Sequence, residues 1–134
     1  MTLVDTNVIL DVITDDLTWR PWSVAMLDRQ SDIGPIVISD VVYAELSPAF
    51  ATEQALDDAI SRLGIVLHRI PKPALFVAGQ AFKQFRRGRG ARTTVLADFF
   101  IGAHAEVTGL PILTRDTRRY RTYFPDVELI APER

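Results

Sequence analysis

The sequence predicts an α/β fold in which helices cover both faces of a central parallel sheet. Three observations support this fold class. Short apolar runs alternate along the chain with segments of helical periodicity, which is typical of parallel strand pairing. The 134 residues are 48% hydrophobic, enough to build a core without covalent staples. We find no internal repeat, low-complexity tract or linker, so we expect one domain over 1–134.

The first half of the chain begins with a strand and a helix. Leu3 and Val4 lead into Asp5, and apolar residues then follow helical spacing over 8–13. Pro21 is typical of the first turn of a helix, which we expect to end near residue 30. The further predicted elements of this half are a strand at 36–38, a helix capped by Ser39 or Asp40 and ending near 50, and a helix capped by Thr52 and stopped at Gly64.

The second half continues the alternation. A strand is predicted at 65–70, and a helix from about Pro73 with Leu75, Ala78, Phe82 and Phe85 on one stripe. A polar loop is predicted at 86–94, followed by a helix from 96 that stops at Gly109. The last predicted elements are a strand at 111–113, a short helix near 117–123 and a strand at 128–130.

Composition excludes several classes of protein. The chain has no Cys, which excludes a disulfide scaffold, a thiol nucleophile and a zinc–thiolate site. A metal site would therefore use carboxylates, carbonyls or the two His. The longest stretch without Asp, Glu, Lys or Arg covers 73–82, far short of the ~18 residues that span a bilayer. The N-terminus lacks the basic start of a signal peptide, so we expect a soluble cytoplasmic protein with no membrane contact.

Charge is distributed unevenly along the chain. Residues 1–58 carry a net charge of −9 and residues 59–134 a net charge of +7, giving −2 in total. Eleven of the thirteen bases in the second segment are Arg, whose planar fork of donors suits phosphate or carboxylate recognition. This favours an acidic metal site beside a basic phosphate-binding rim. Two solvated faces of opposite sign are the alternative.

Two acids follow predicted strands directly or closely. Asp5 comes after Leu3 and Val4, and Asp116 comes shortly after the strand at 111–113. Ligands of parallel α/β sheets bind at the carboxyl ends of the strands, so a paired site is plausible there. Either Asp alone would more commonly be a helix cap.

Two further acids lie on predicted helices. Glu45 is four residues after Val41 and three after Val42, which predicts that its carboxylate shares their apolar face. A carboxylate in that position is costly unless a metal or a cation pairs with it, and an ion pair with an Arg is the alternative. Asp98 falls in the first turn of its helix, where it would also complement the helix dipole without any metal.

Five segments together carry a family resemblance. They are VDTN (4–7), SDVVYAEL (39–46), LADFFIGAHA (96–105), LTRD (113–116) and YRTYFP (120–125). In this order and at these separations, the chain resembles the PIN-domain ribonucleases, in particular the VapC-type toxins of bacterial type II toxin–antitoxin pairs. Many relatives have Pro where this chain has Ala97, a change that alters the helix start and removes no ligand.

The resemblance implies a three-layer α/β/α sandwich with acids gathered at one end of the parallel sheet. It implies a Mg²⁺- or Mn²⁺-dependent endoribonuclease that hydrolyses RNA phosphodiester bonds. It further implies a cognate VapB-like antitoxin, and either a homodimer or a toxin–antitoxin hetero-oligomer. The residues implied as metal ligands are Asp5, Glu45, Asp98 and Asp116, and Asn7 and Thr114 are implied as polar helpers that orient a carboxylate or water.

Four Arg residues lie close together before the Asp98 helix. We expect Arg86, Arg87, Arg89 and Arg92 to contact RNA phosphates from a flexible loop. A solvated connector is the alternative for this segment.

Other functions remain open at this stage. A catalytically inactive PIN-like module would bind RNA or dock a protein, although decay usually removes a ligand and all four acids are present. A receiver-like domain needs a Lys after a late strand, yet Lys occurs only at 72 and 83. A haloacid-dehalogenase-type phosphatase needs a second Asp two residues after the first, where this chain has Asn7.

Overall fold

A computed structural model of the chain describes residues 1–89 and 96–133. Within these ranges, five parallel strands form one sheet in the order β3-β2-β1-β4-β5. Leu3 of the central strand lies opposite Val37 on one side and Ile112 on the other. The strands are β1 Thr2–Val4, β2 Ile36–Ile38, β3 Ile65–Leu67, β4 Ile112–Leu113 and β5 Leu129–Ile130.

Seven α-helices flank the sheet in the described part of the chain, giving the α/β/α architecture expected from the sequence. A 3₁₀ turn at Ser47–Ala49 follows the third of them. None of the described helices has both the length and the apolar character needed to cross a membrane. The helices are α1 Thr6–Ile13, α2 Arg20–Ile33, α3 Asp40–Leu46, α4 Glu53–Arg62, α5 Lys72–Arg89, α6 Leu96–Thr108 and α7 Arg118–Tyr123.

Local sequence signals explain where several helices begin and end. Ser39 caps α3, since its side chain accepts a hydrogen bond from Val42 N, and Thr52 caps α4 through Ala55 N. Gly64 and Gly109 follow α4 and α6 with φ of 71° and 73°, values that favour glycine. These four predictions from the sequence are confirmed.

The buried core includes residues of β1–β4 and of all seven helices. All residues of β1 and β2 are buried, as expected for a parallel sheet covered on both faces. Phe99 contacts both Phe85 and Phe124, and these three side chains and Tyr120 are each at most 3% exposed. A Cβ at residue 102 would overlap the Phe124 ring, so Gly102 permits this close approach.

Two predicted elements are shorter than expected. The helix after Ser39 ends at Leu46, and Pro48 then lies in the 3₁₀ turn because proline cannot continue the backbone hydrogen bonding of the helix. The strand predicted at 65–70 ends at Leu67. Beyond it, the Asp40 carboxylate accepts hydrogen bonds from Ile70 N at 2.8 Å and Arg69 Nε at 2.6 Å, which ties this segment to α3 instead of the sheet.

The prediction of a loop from residue 86 is wrong for its first part. The fifth helix extends to Arg89, so Arg86, Arg87 and Arg89 are helical, and Arg92 lies outside the described residues. The predicted apolar stripe is also partly wrong, because Leu75 is 46% exposed. Over residues 72–87, the buried residues of this helix are Ala74, Ala78, Ala81 and Phe85.

Two histidines form a pair between α6 and the end of β3. His104 is fully buried, and its Nε2 lies 2.8 Å from His68 Nδ1. His104 Nδ1 has no hydrogen-bond partner among the described residues. Burial, reinforced by His68, lowers the pKa of His104 to about 4, while Asp40 opposes the shift. His104 is therefore neutral in the folded protein at physiological pH.

We expect His104→Gln to flatten the pH dependence of stability in acid. The unfolded chain takes up a proton near pH 6.5 and the folded chain only near pH 4, so the free energy of unfolding is lost as pH falls through this interval. Removing the imidazole should reduce this loss by about 1–3 kcal/mol. Urea unfolding at pH 4.5 and pH 7 measures it. An unchanged difference between the two pH values in His104→Gln would contradict the assignment.

Candidate active site

Asp5 is the buried centre of a cluster of polar side chains at the carboxyl end of the sheet. It follows β1 directly and caps α1, since its Oδ1 accepts a hydrogen bond from Thr6 N at 2.8 Å. Its Oδ2 accepts from Thr114 Oγ1 and from Tyr120 OH, each at 2.8 Å. Burial raises the pKa of Asp5, and the hydrogen bonds from Tyr120 and Thr114 oppose that rise.

Asn7 and Thr114 connect α1 to the segment after β4. Asn7 Nδ2 donates to Thr114 Oγ1 at 3.3 Å and lies 3.5 Å from Asp5 Oδ2, while Asn7 Oδ1 accepts from Arg115 N at 3.1 Å. Thr114 Oγ1 also accepts from Asp116 N at 3.1 Å. The two polar residues implied by the family resemblance thus contact one another and the carboxylate that they were expected to orient.

Glu45 lies on a different face of α3 from the one predicted. Val42 and Leu46 form the buried face of α3, whereas Glu45 is exposed, so the prediction that it shares the apolar face is wrong. The i+3 spacing from Val42 places Glu45 about 60° away from that residue around the helix, which is enough to reach solvent. Its Oε1 accepts a hydrogen bond of 2.6 Å from Thr6 Oγ1, and Thr6 N in turn donates to Asp5.

Asp98 and Asp116 complete the set of four predicted acids. Asp98 lies in the first turn of α6 and is partly buried, and Asp116 is exposed in the loop after β4. Burial, then repulsion from Asp5 and Asp116 and more weakly from Glu45, raises the pKa of Asp98 to about 7. A carboxylate that only complemented a helix dipole would shift in the opposite direction. The four acids therefore share one electrostatic environment.

Comparison with protein families identifies the chain. A model of the PIN domain matches residues 2–125, which is most of the sequence. This chain belongs to the PIN domain family. No curated protein matches the sequence.

The fold of this PIN domain is similar to several solved structures, each of which it matches over nearly its whole length. VapBC2 from Rickettsia felis, bound to a DNA fragment from its promoter, is 15% identical, with a TM-score of 0.72 and 98% of each chain covered. DNA-bound VapBC from Salmonella typhimurium is 17% identical, with a TM-score of 0.70 and 98% of each chain covered. A toxin–antitoxin complex from Klebsiella pneumoniae is 19% identical, with a TM-score of 0.62 and coverage of 99% of this chain and 98% of the other. At such identities, the similarity establishes the fold alone.

Several residues of the PIN domain site were not singled out by sequence reasoning. Tyr120 donates to Asp5 from α7, and Thr6 bridges Asp5 and Glu45. The charge of Arg119 partly opposes the rise in the pKa of Asp98. The buried Nε of Arg119 has no hydrogen-bond partner among the described residues. Thr6 and Tyr120 both lie in the segments that carry the family resemblance, which was the available signal. Nothing in the sequence marks Arg119 among its Arg neighbours.

A buried ion pair supports the loop that carries Asp116. Arg115 donates to Asp11 through Nε at 2.6 Å and a terminal nitrogen at 2.8 Å, and Ser23 Oγ donates to the same carboxylate at 2.7 Å. The Asp11 side chain is 3% exposed and the Arg115 side chain 25%. Replacing either partner would strongly destabilise the folded protein, because the charge of the other would remain buried without a partner. The ion pair fixes the position of the loop relative to α1.

The donor chemistry of the four acids fits a hard divalent cation. Carboxylate oxygens suit Mg²⁺, which is commonly held by one or two carboxylates and keeps several waters. Within 1–89 and 96–133, no three Asp, Glu or His side chains form a group that could hold a metal ion in the observed conformation.

We expect Asp98→Asn to stabilise the metal-free protein at pH 8. The folded-state pKa of about 7 exceeds the usual value, so the folded state binds more protons from about pH 4 to pH 7 and the free energy of unfolding falls as pH rises through that range. The gain should be about 1–3 kcal/mol at pH 8 and vanish toward pH 4. Thermal melting in EDTA measures this, with the exposed Asp28→Asn on α2 as the control.

The same variant tests whether Asp98 belongs to a metal site. Mn²⁺ at a hundredfold excess over its dissociation constant should stabilise the wild type by about 2.7 kcal/mol and Asp98→Asn much less. A loss of stability in Asp98→Asn that is the same with EDTA and with Mn²⁺ would instead indicate a simple helix cap.

Proposed function

We propose that this PIN domain is a metal-dependent endoribonuclease toxin of the VapC type. The proposal is carried by four acids from separate segments, Asp5 after β1, Glu45 on α3, Asp98 on α6 and Asp116 after β4. The other three lie near enough to Asp98 for their charges to add to burial in raising its pKa. Perturbed carboxylates gathered at the carboxyl end of a parallel sheet are typical of catalytic sites. Oxygen-only donors favour Mg²⁺ or Mn²⁺ as the cofactor.

The residues of the site have different roles in the proposed hydrolysis of a phosphodiester. A divalent cation held by Asp5, Glu45, Asp98 and Asp116 would supply charge stabilisation at the scissile phosphate and activation of water. Thr114 and Tyr120 fix the carboxylate of Asp5 through hydrogen bonds to Oδ2, and Thr6 fixes Glu45. Asn7 fixes the loop of Asp116 through Arg115 N. Water attacks phosphorus, the bond from phosphorus to the leaving oxygen breaks, and that oxygen takes up a proton.

RNA is the proposed substrate because basic residues lie near two of the acids: Arg115 precedes Asp116 in the chain, and the charge of Arg119 acts on Asp98. Arg86 and Arg87 are exposed near the end of α5, and the Arg86 guanidinium lies 6.0 Å from the centre of the Phe82 ring. Residues 59–134 carry a net charge of +7, which favours a phosphate backbone. Contacts of this kind provide affinity and position without choosing a sequence.

An antitoxin is the proposed protein partner. The similar structure from Klebsiella pneumoniae is a toxin–antitoxin complex, and the other two similar structures are VapBC assemblies. By analogy, a VapB-like antitoxin neutralises this chain in the cytoplasm, and the assembly is a homodimer or a toxin–antitoxin hetero-oligomer.

We expect Asp116→Asn and Asp5→Asn to abolish Mn²⁺-dependent RNA cleavage. Each removes a negative charge that holds the cation, and Asp116 is exposed, so its variant should fold normally. Gel assays of labelled RNA measure cleavage, and thermal melting checks the fold. Expression of the wild type without its antitoxin should arrest growth, whereas neither variant should.

The control for this experiment is Asp126→Asn, which changes an exposed acid before β5. It should cleave RNA like the wild type. Cleavage by Asp116→Asn at a wild-type rate would show that the acids are not the active site.

We expect replacement of Arg86, Arg87, Arg89 and Arg92 by Gln to weaken RNA binding and its salt dependence. Each lost phosphate contact should reduce the slope of log affinity against log salt by roughly 0.7 for a single strand. Fluorescence anisotropy at several salt concentrations measures the slope. The matched control compares Arg86→Gln/Arg87→Gln with Arg29→Gln/Arg62→Gln, which changes exposed residues of α2 and α4. Equal slopes for the two double variants would leave α5 without a role in RNA binding.

A further inference from the structure

A cleft opens beside the loop that carries Asp116. Its volume is about 760 Å³, within the usual range for small-molecule sites. Arg115 and Thr117, the two chain neighbours of Asp116, both line it. Its other walls include Trp19, Arg121, Leu129 and Pro132.

We propose that this cleft binds one nucleotide of single-stranded RNA next to the phosphodiester that is cleaved. Trp19 supplies an aromatic surface for the base, and Arg121 supplies a cation for a phosphate. Stacking on aromatic rings combined with basic side chains is the general chemistry by which proteins bind single strands. The inference rests on the proposed nuclease function and adds a substrate-binding site that the four acids do not provide.

The surface around Trp19 is held in place before any ligand arrives. Asp16 Oδ1 accepts hydrogen bonds from Trp19 N at 2.8 Å and Thr18 N at 3.0 Å. The Arg115 guanidinium lies 5.0 Å from the centre of the Trp19 ring, and the buried Asp11 fixes that guanidinium. A site that is already ordered loses less entropy on binding, which favours affinity.

The position of Trp19 distinguishes it from the neighbouring tryptophan. Both are half-buried and meet edge to face at 6.0 Å, but Trp22 packs against the hydrophobic core and Trp19 is not among the residues packed there. A large aromatic that lines a cleft instead of the core is available to a ligand.

The charges of the cleft favour a nucleotide over a simple anion. Asp11 neutralises Arg115, and the exposed Glu133 faces the same cleft as Arg121, so the lining as a whole is nearly balanced. A bare anion would gain little there. A nucleotide can place its base on Trp19 and Leu129 and its phosphate near Arg121, which matches the mixed apolar and polar lining.

The cleft lies at the same edge of the sheet as the acids. Arg115 and Thr117 follow the carboxyl end of β4, and Pro132 and Glu133 follow the carboxyl end of β5, which is parallel to β4. Asp116 lies between Arg115 and Thr117 in the chain, which supports a nucleotide in the cleft beside the one whose phosphate meets the acids.

Fluorescence titration tests the proposal directly. In Trp22→Phe protein, Trp19 is the remaining tryptophan, and a uridine hexanucleotide added in EDTA should quench it saturably. Trp19→Ala, with the hexanucleotide carrying the label, should raise the dissociation constant roughly 5- to 100-fold. Arg121→Gln should raise it less and reduce the salt slope by roughly 0.7. In cleavage assays with Mn²⁺, both variants should raise KM while kcat stays within about twofold.

Arg62→Gln, an exposed Arg at the end of α4, is the matched control and should leave the affinity for the hexanucleotide unchanged. Wild-type affinity for RNA in both Trp19→Ala and Arg121→Gln would overturn the proposal. If the antitoxin also quenched Trp19 in that case, the cleft would be a protein-binding site. If the wild-type protein still cleaved RNA while both variants kept their affinity, the proposed nuclease function would be supported and only the cleft would be excluded. Conversely, reduced RNA affinity in both variants without any wild-type cleavage would support the cleft and contradict the nuclease.

Discussion

The buried carboxylate of Asp5 is the constraint on which the arrangement of the site depends. Its two oxygens accept hydrogen bonds from α1, from the segment after β4 and from α7, so one side chain joins three parts of the chain. Hydrogen bonds to a charged acceptor are roughly twice as strong as neutral ones, and leaving such an acceptor unpaired in the interior is costly. The folded state therefore requires Thr6, Thr114 and Tyr120 to contact Asp5 at the same time. These contacts bring Glu45, through Thr6, and Asp116, through Thr114, to the end of the sheet where Asp5 lies.

Concentrating acids in this way opposes stability, and the rest of the fold has to offset it. The pKa of Asp98 is raised to about 7, which means that its ionised form destabilises the folded state. Opposite behaviour occurs at His104, whose lowered pKa makes the folded state less stable in acid. The two groups act on stability with opposite signs across much the same pH range. The pH dependence of the whole protein is thus a poor guide to either group, and single substitutions separate them.

Much of the fold and of the site followed from local sequence. Caps such as Ser39 and Thr52 act on backbone groups within three residues, so their effect is visible without tertiary information. The alternation of strands and helices gave the class of fold for a similar reason. The structure also brings Asn7 and Thr114 into contact with Asp5, although they are far apart in the chain. That grouping was implied by the family resemblance, which covers both segments, and strand order alone predicted only Asp5 and Asp116 at this edge of the sheet.

The sequence by itself determined the strand–helix order, the helix ends at Gly64 and Gly109, and the presence of acids after two strands. Only the tertiary structure decided which face of α3 is buried, since a residue three positions from Val42 can point into the core or past its edge. It also decided the roles of Tyr120 and of the ion pair between Asp11 and Arg115, residues 104 positions apart. Caps and periodicity are interactions between near neighbours. Burial, repulsion and pairing depend on distances in space that the order of residues does not contain.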